Sequence, residues 1–334
     1  MIEKGQIRMN AYFMDEVAKT IEDINKIRRP GDLCFAAVSD TRLMDACSQN
    51  RDNIRAVDQE VHFDFLVHLG DVLCDSNPEK ISRRLLREEL SKYRKCIATQ
   101  KLYVVQGELD GWRDESYRGQ LVTGIMTDAI WHQETGFIDE YEGVTRMADA
   151  PYYYVDDPLS CTRCIFLCSN CYQIKEDHKL FQKYHTLGLE QIAWLEEALK
   201  PGQGWKVLIF SHDIPQSVFE TGINPPSYKG NAIDRTMAVL QDAVRTGGID
   251  FVAWITGHYG YDCEIQELSM NIMTMGGLAC FPCPGVEISG ARRGMPRTVG
   301  TYNEDLWDAF VLRPQERKLY VFRFGAGEDR VIAY

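Results

Sequence analysis

Residues 33–71 read LCFAAVSDTRLMDACSQNRDNIRAVDQEVHFDFLVHLGD, and both ends of this stretch have one form: a short apolar run closed by an aspartate, Asp40 in the first and Asp71 in the second. Short apolar runs recur downstream in LYVVQ (102–106), YYYV (152–155), CIFLCS (164–169), KVLIF (206–210) and FVAWIT (251–256). Between the runs, Ile81, Leu85, Leu90, Tyr93 and Ile97 keep a helical spacing, as do Ile192, Leu195 and Leu199, and residues 232–246 give a third such segment. Short apolar runs alternating with helical patterns are the mark of βα units, so the expected class is α/β with a largely parallel core. After residue 262 the pattern changes to CEIQEL, NIMTM, AFVLR and LYVFRF, which predicts an antiparallel or mixed finishing sheet.

Upstream of the first run, Phe13, Val17, Ile21 and Ile24 form one helical stripe, with Asn10 as candidate N-cap and Pro30-Gly31 as stop signal. Residues 1–30 are therefore expected to be a helical appendage to a domain covering 31–334. Residues 111–150 lack a long apolar period and interrupt the strand series, the pattern of a lid insertion or small subdomain.

The chain has 334 residues, 45% hydrophobic and 26% charged, so it is long enough for a large core and is not a disordered composition. Its formal net charge of −12 disfavours a nonspecific nucleic-acid or acidic-membrane binder. No apolar run reaches the ~18 residues a membrane helix needs, and the opening MIEKGQIRMNAYFMDEVAK carries charges where a signal peptide is apolar. A cytoplasmic protein with reduced thiols is expected, several of its 11 cysteines lying inside apolar runs.

Five runs end on residues able to bind metal: Asp40, Asp71, Glu108, His212 and His258. In an open α/β sheet the crevice lies beyond the carboxyl ends of the strands, so these side chains can gather there despite their separation in sequence. Three carboxylates and two imidazoles suit Mn, Fe, Zn or Ni better than the oxygen-preferring Ca or Mg, so a divalent transition metal is implied. Each residue alone has an ordinary reading as a helix cap or a core histidine; the coincidence at five strand ends is what points to a site. Gly70, Gly107 and Gly257 precede three of the five, as expected where the backbone turns sharply or approaches a ligand.

In this order the motifs resemble those of the calcineurin-like metallophosphoesterases, over about residues 33–325. The family's D-x-H, G-D, G-N-H-D/E, lone His and G-H-x-H correspond here to Asp40-Thr41-Arg42, Gly70-Asp71, Gly107-Glu108-Leu109-Asp110, Ser211-His212 and Gly257-His258-Tyr259-Gly260. The resemblance implies a sandwich of two β-sheets flanked by helices, four layers in all. It also implies a second-metal site at Asp71, Glu108, His212 and His258. Arg42 and Gly260 replace two ligands of the first metal, and Leu109 stands where the family has its catalytic histidine; leucine has no proton to give.

With one divalent metal and Arg42 set against Asp40, Asp71 and Glu108, the site charge sums to about zero, whereas an intact dinuclear site carries about +2 and attracts phosphate. Arg42 is expected where the first metal would be, in fork geometry on Asp40 or Asp71, or else facing the phosphate. Asp40, Arg42 and Asp110 are the candidate catalytic groups.

The expected function is hydrolysis of a phosphate mono- or diester, on a small molecule or a phosphoprotein, with a single divalent metal. The alternative is an inactive member serving as scaffold or sensor; a nuclease is disfavoured by the acidic balance. Cys161, Cys164, Cys168 and Cys171 are read as structural, since the apolar IFL separates the pairs more tightly than zinc modules do, and Cys280 and Cys283 likewise. Arg292, Arg293 and Arg297 form either a solvated turn or an anion clamp.

Overall fold

The computed structural model describes residues 9–44, 47–74, 77–110, 126–174, 181–185, 187–213, 231–246, 248–267, 270–278 and 297–334. In chain order the helices are α1 (Met14–Ile27), α2 (Cys47–Val61), α3 (Glu79–Arg94), α4 (Asp128–Thr135), α5 (Leu189–Ala198) and α6 (Asn231–Thr246). The strands are β1 (Leu33–Val38), β2 (Phe65–His68), β3 (Leu102–Val104), β4 (Val144–Arg146), β5 (Tyr153–Asp157), β6 (Thr162–Phe166), β7 (Asn170–Ile174), β8 (Phe181–His185), β9 (Lys206–Ser211), β10 (Asp250–Thr256), β11 (Cys263–Glu267), β12 (Met270–Thr274), β13 (Leu306–Arg313), β14 (Lys318–Gly325) and β15 (Arg330–Ala333). Six strands form one sheet in the order β15-β14-β13-β1-β2-β3, and seven form another in the order β11-β12-β10-β9-β6-β5-β4; β7 and β8 pair as a separate hairpin.

The α/β sandwich follows from strand alternation. On β6, Cys164 and Phe166 point between the sheets while Ile165 points outward; on β9, Leu208 and Phe210 point inward and Val207 and Ile209 outward. The inward set meets Phe35 and Phe65 of the first sheet, with Phe35 and Phe210 edge to face at 5.7 Å between centroids. The outward set packs under α5 and α6 against Leu195 and Met237. Each such fully buried phenylalanine is worth about 2–3 kcal/mol relative to exposure. The other side of the first sheet is covered by α1 and α2, completing four layers.

The structure revises several expectations. The strands after residue 262 do not form one finishing sheet: β11 and β12 extend the second sheet, β12 parallel to β10, while β13 runs antiparallel to β1 and brings β14 and β15 into the first. The N-terminal helix is packed rather than appended, for Phe13 and Ile24 are fully buried and Phe13 meets Phe324 of β14. Asn10 makes no capping bond; its side chain donates to the Tyr12 hydroxyl at 2.8 Å.

Within 111–150, residues 111–125 lie outside the described residues, so the lid reading of them has no structural counterpart here. The rest is α4, a 3-10 turn and edge strand β4, whose Met126, Trp131 and Ile138 enter the main core. Cys161 is exposed while Cys164 and Cys168 are buried; the Cys171 side chain, Cys280 and Cys283 lie outside the described residues. No helix among the described residues is long and apolar enough to cross a membrane.

Candidate metal centre

The carboxyl ends of β1, β2 and β3 in one sheet and of β9 and β10 in the other meet at one edge of the sandwich. Backbone bonds lock the tips together: Asp40 N–H to Gly70 O and Arg42 N–H to Asp71 O, both 3.0 Å, within the first sheet, and Gly257 N–H to His212 O, 3.1 Å, within the second. Across the sheets, His258 N–H donates to Asp40 Oδ2 at 3.0 Å. The contacts are close enough to exclude a side chain at Gly107, where a Cβ would collide with Asp71 N and Oδ1, and at Gly257, where it would collide with Ser39 Oγ. These glycines admit neighbouring backbone and side chains. Asp40, Arg42, Leu43, Asp71 and His258 all hold left-handed φ between 47° and 69°, a conformation costing about 1–3 kcal/mol each and characteristic of functional sites.

Asp40, Asp71 and His212 present ligand atoms within 4.8 Å of one another, all fully buried. Arg42 Nη2 donates to Asp40 Oδ1 at 2.9 Å and to Asp71 Oδ2 at 3.1 Å. The guanidinium thus bridges the two carboxylates through one terminal nitrogen, rather than making the expected fork on one of them. Asp40 Oδ2 also accepts from Ser39 Oγ at 2.5 Å, and Asp71 Oδ1 accepts from Leu109 N–H at 2.8 Å.

Burial opposes ionisation of Asp40, but His212 when protonated, the Ser39 hydroxyl and Arg42 outweigh it and hold the carboxyl below its ordinary range. For Asp71, burial and the adjacent Asp40 charge win and push the carboxyl up to about 7. Two neighbouring carboxylates with one bridging arginine cannot both ionise cheaply.

The fit to a cation is decided at His212. Its Nδ1 lies 2.6 Å from the Leu69 carbonyl, which can only accept, so Nδ1 carries a proton and the neutral ring has its lone pair on Nε2. That Nε2 is buried without a hydrogen-bond partner and faces Asp71 Oδ1 at 3.3 Å. Two acceptors at this distance repel unless a proton or a metal ion lies with them, and a backbone carbonyl fixing the far nitrogen is the usual support of a metal-binding imidazole. The residues therefore fit one divalent ion beside Asp71 and His212, while Arg42 fills the position between Asp40 and Asp71.

Glu108 and His258 stand together at the rim, His258 Nδ1 being 4.0 Å from Glu108 Oε1, with exposures of 22% and 24%. The His258 ring meets that of His212 edge to face at 5.1 Å, and burial lowers its pKa, favouring the neutral form a ligand needs. The tightest donor group thus contains Asp40 in place of the expected Glu108 and His258.

Asp110 does not face the crevice. Its carboxylate, pushed up to about 6 by burial and by Asp71, accepts from the backbone N–H of Gly107, Asp71 and Leu73 at 2.7, 3.0 and 2.9 Å. It is a buttress for the tip loops, which corrects its reading as a catalytic group. Arg297 donates to the carbonyls of Gly277, Leu278 and Glu304, a latch rather than a solvated turn or an anion clamp; Arg292 and Arg293 lie outside the described residues.

Sequence reasoning passed over Ser39, His68, and the pair Asp213 and Tyr259, in which the tyrosine hydroxyl donates to Asp213 Oδ1 at 2.8 Å. Ser39 and Asp213 each adjoin a motif residue, a signal that was present. His68 lies inside an apolar strand and carries no such mark.

The fold is that of the metallophosphoesterases. The chain belongs to the calcineurin-like phosphoesterase family, whose profile matches residues 33–259. Among solved structures it is similar to GAP50, the anchor in the inner membrane complex of Plasmodium, with 13% identity, a TM-score of 0.50, and coverage of 87% of this chain and 84% of that one. It is also similar to a conserved Streptococcus pneumoniae protein described as a predicted phosphoesterase (10% identity, TM-score 0.34, 91% and 98% covered). A third is Vacuolar Protein Sorting 29 from Cryptosporidium parvum (9% identity, TM-score 0.36, 90% and 95% covered). No curated protein matches the sequence.

Proposed function

We propose that this chain is a divergent phosphoesterase that hydrolyses a phosphate mono- or diester, on a small molecule or a phosphoprotein in the cytoplasm, using a single divalent transition metal. The observation that carries the reading is the buried His212 Nε2 facing Asp71 Oδ1 at 3.3 Å with its other nitrogen committed to Leu69 O. Asp71 and His212 would hold the ion, with His258 and Glu108 at the rim completing its set. A divalent ion there supplies Lewis acidity toward a phosphoryl oxygen and lowers the pKa of bound water.

The chain's own residues do the rest. Arg42, its side chain 29% exposed, bridges Asp40 and Asp71 and offers the crevice a permanent positive charge for a phosphate oxygen. Asp40, kept ionised, is the acceptor to which a proton or a substrate hydroxyl can be oriented. Leu109 offers no proton to a leaving group, so esters with good leaving groups are favoured.

The test is metal content together with turnover of aryl phosphoesters in manganese. One equivalent per chain and a slow rate abolished by Asp71→Asn support the reading. Restoring the family residues together, Arg42→His, Glu108→Asn, Leu109→His and Gly260→His, is expected to raise both metal stoichiometry and rate, while each change alone does little. Two equivalents in the native protein would overturn the single-metal site.

A second reading, a non-catalytic scaffold, is favoured by Leu109 at the family's histidine position and by the sharing of this fold with a protein described as an anchor. No rate in native or restored protein would select it.

A further inference from the structure

Three of the four residues 40–43 hold left-handed φ: Asp40, Arg42 and Leu43. Such a tip needs an external anchor to stay in one conformation. The fourth residue, Thr41, is fully buried, and its Oγ1 lies 3.0 Å from His68 Nε2. On the other side of the same ring, Gly70 N–H donates to His68 Nδ1 at 3.2 Å. A backbone N–H can only donate, so Nδ1 is the acceptor, Nε2 carries the proton, and the neutral imidazole donates to Thr41. The ring is fully buried and packs edge to face on Tyr93 at 5.4 Å. One imidazole therefore spans the two tips: Thr41 lies between Asp40 and Arg42, and Gly70 directly precedes Asp71.

We propose that His68 is a positioning residue which, through Thr41 and Gly70, sets the spacing of Asp40 and Asp71 and thereby preorganises the cation half-site at Asp71 and His212. This rests on the metal reading of the strand tips. His68 touches neither the ion nor the substrate; it fixes the orientation of groups that do, as outer-shell partners of metal ligands commonly do. Its two hydrogen bonds require an acceptor and a donor on opposite sides of one flat ring. Asparagine can keep the Gly70 bond, glutamine the Thr41 bond, and leucine neither.

The experiment is calorimetric titration of metal-free protein with Mn²⁺ for the native chain, His68→Leu, His68→Asn, Thr41→Val and the double variant His68→Leu/Thr41→Val. A core variant away from the tips, Val321→Ala, serves as a control of comparable destabilisation. His68→Leu is expected to bind Mn²⁺ ~10- to 100-fold more weakly, as losses of outer-shell partners do. Thr41→Val should weaken it too, His68→Asn should recover part of the loss, and the double variant should bind no more weakly than His68→Leu, the mark of one shared interaction. Native affinity in folded His68→Leu would overturn the proposal, and if that variant fails to fold, native affinity in Thr41→Val does the same.

Should the native chain itself take up no Mn²⁺, the metal reading fails, and the strut is judged by solvent exchange of the Arg42 guanidinium protons by NMR. Exchange at least about tenfold faster in His68→Leu or Thr41→Val than in Val321→Ala keeps the strut; equal exchange removes it.

Discussion

Two buried clusters in this molecule each set an arginine against two aspartates. Beside the carboxyl end of β1, where Asp308 pairs with Ala37, Arg323 of β14 lies 1% exposed, bonded through Nε to Asp308 Oδ1 at 2.7 Å and through its terminal nitrogens to Asp262, Asp308 and the Ala326 carbonyl. All five of its N–H groups have acceptors. Arg330 adds a second cation on Asp308. At the strand tips Arg42, the one cation among the described residues there, meets Asp40 and Asp71 through Nη2, and His212 Nε2 adds another acceptor to the group.

The first cluster is complete within the polypeptide and ties β13 and β14 to the loop before β11. The second is short of positive charge. Asp262 is held below its ordinary range by Arg323 and Arg330, which outweigh burial, whereas Asp71 is pushed up to about 7. A closed network contributes to holding the fold; an open one, kept by strained backbone, is built to receive a cation.

Breaking the closed network should have the largest effect. Arg323→Met leaves Asp262 and Asp308 buried with half their partners, and urea denaturation should show a loss of about 3–5 kcal/mol. The Mn²⁺ affinity of the folded fraction should stay native, and a loss below about 1 kcal/mol would erase the contrast.

Next in size is a pH effect in the metal-free protein. Asp71 has a raised folded-state pKa, so its protonated form favours folding below an unfolded value near 3.9, and this contribution is lost as pH rises toward 7. The stability of Asp71→Asn relative to the native chain should therefore grow between about pH 4 and 7 by up to ~1.4 kcal/mol per pH unit and then level off. A difference that does not vary with pH would mean Asp71 is already satisfied.

A His212→Ala variant should bind Mn²⁺ ~100-fold more weakly, a difference of about 2.7 kcal/mol, with its metal-free stability little changed. Undiminished metal in titration calorimetry would place the ion elsewhere. The smallest effect is expected from Arg42→Ala: a cation 29% exposed is partly screened, and its loss should cost only about 1 kcal/mol in denaturation. A cost as large as that of Arg323→Met would make the tip cluster a structural network after all.

The fold was legible where hydrophobicity carried it. Every strand that lines the inner face of the second sheet from Tyr153 to Thr256 stands out as an apolar run, because a strand covered on both sides needs apolar residues throughout. Helix α2 was not legible, since its buried face mixes Ile54, Val57 and Val61 with Asn50, Asn53 and Asp58. Those polar residues are satisfied only in three dimensions, Asn50 and Asn53 donating to Asp305 and Asp58 accepting from Phe63 and Ala98. A hydropathy pattern scores them as solvent-facing.

By itself the sequence determined the α/β class and the five strand ends that bear Asp40, Asp71, Glu108, His212 and His258, because strand periodicity and the residue closing each strand are local properties; the family and its sandwich entered through the resemblance of those motifs. It could also show that Arg42 and Leu109 replace family ligands. Only the tertiary structure decided that Asp110 faces backbone rather than substrate, that Arg42 bridges both aspartates, and that His68 joins their loops. Those outcomes depend on distances between chain segments 27 to 39 residues apart. No local rule sets such distances; the packing of two sheets at one edge does.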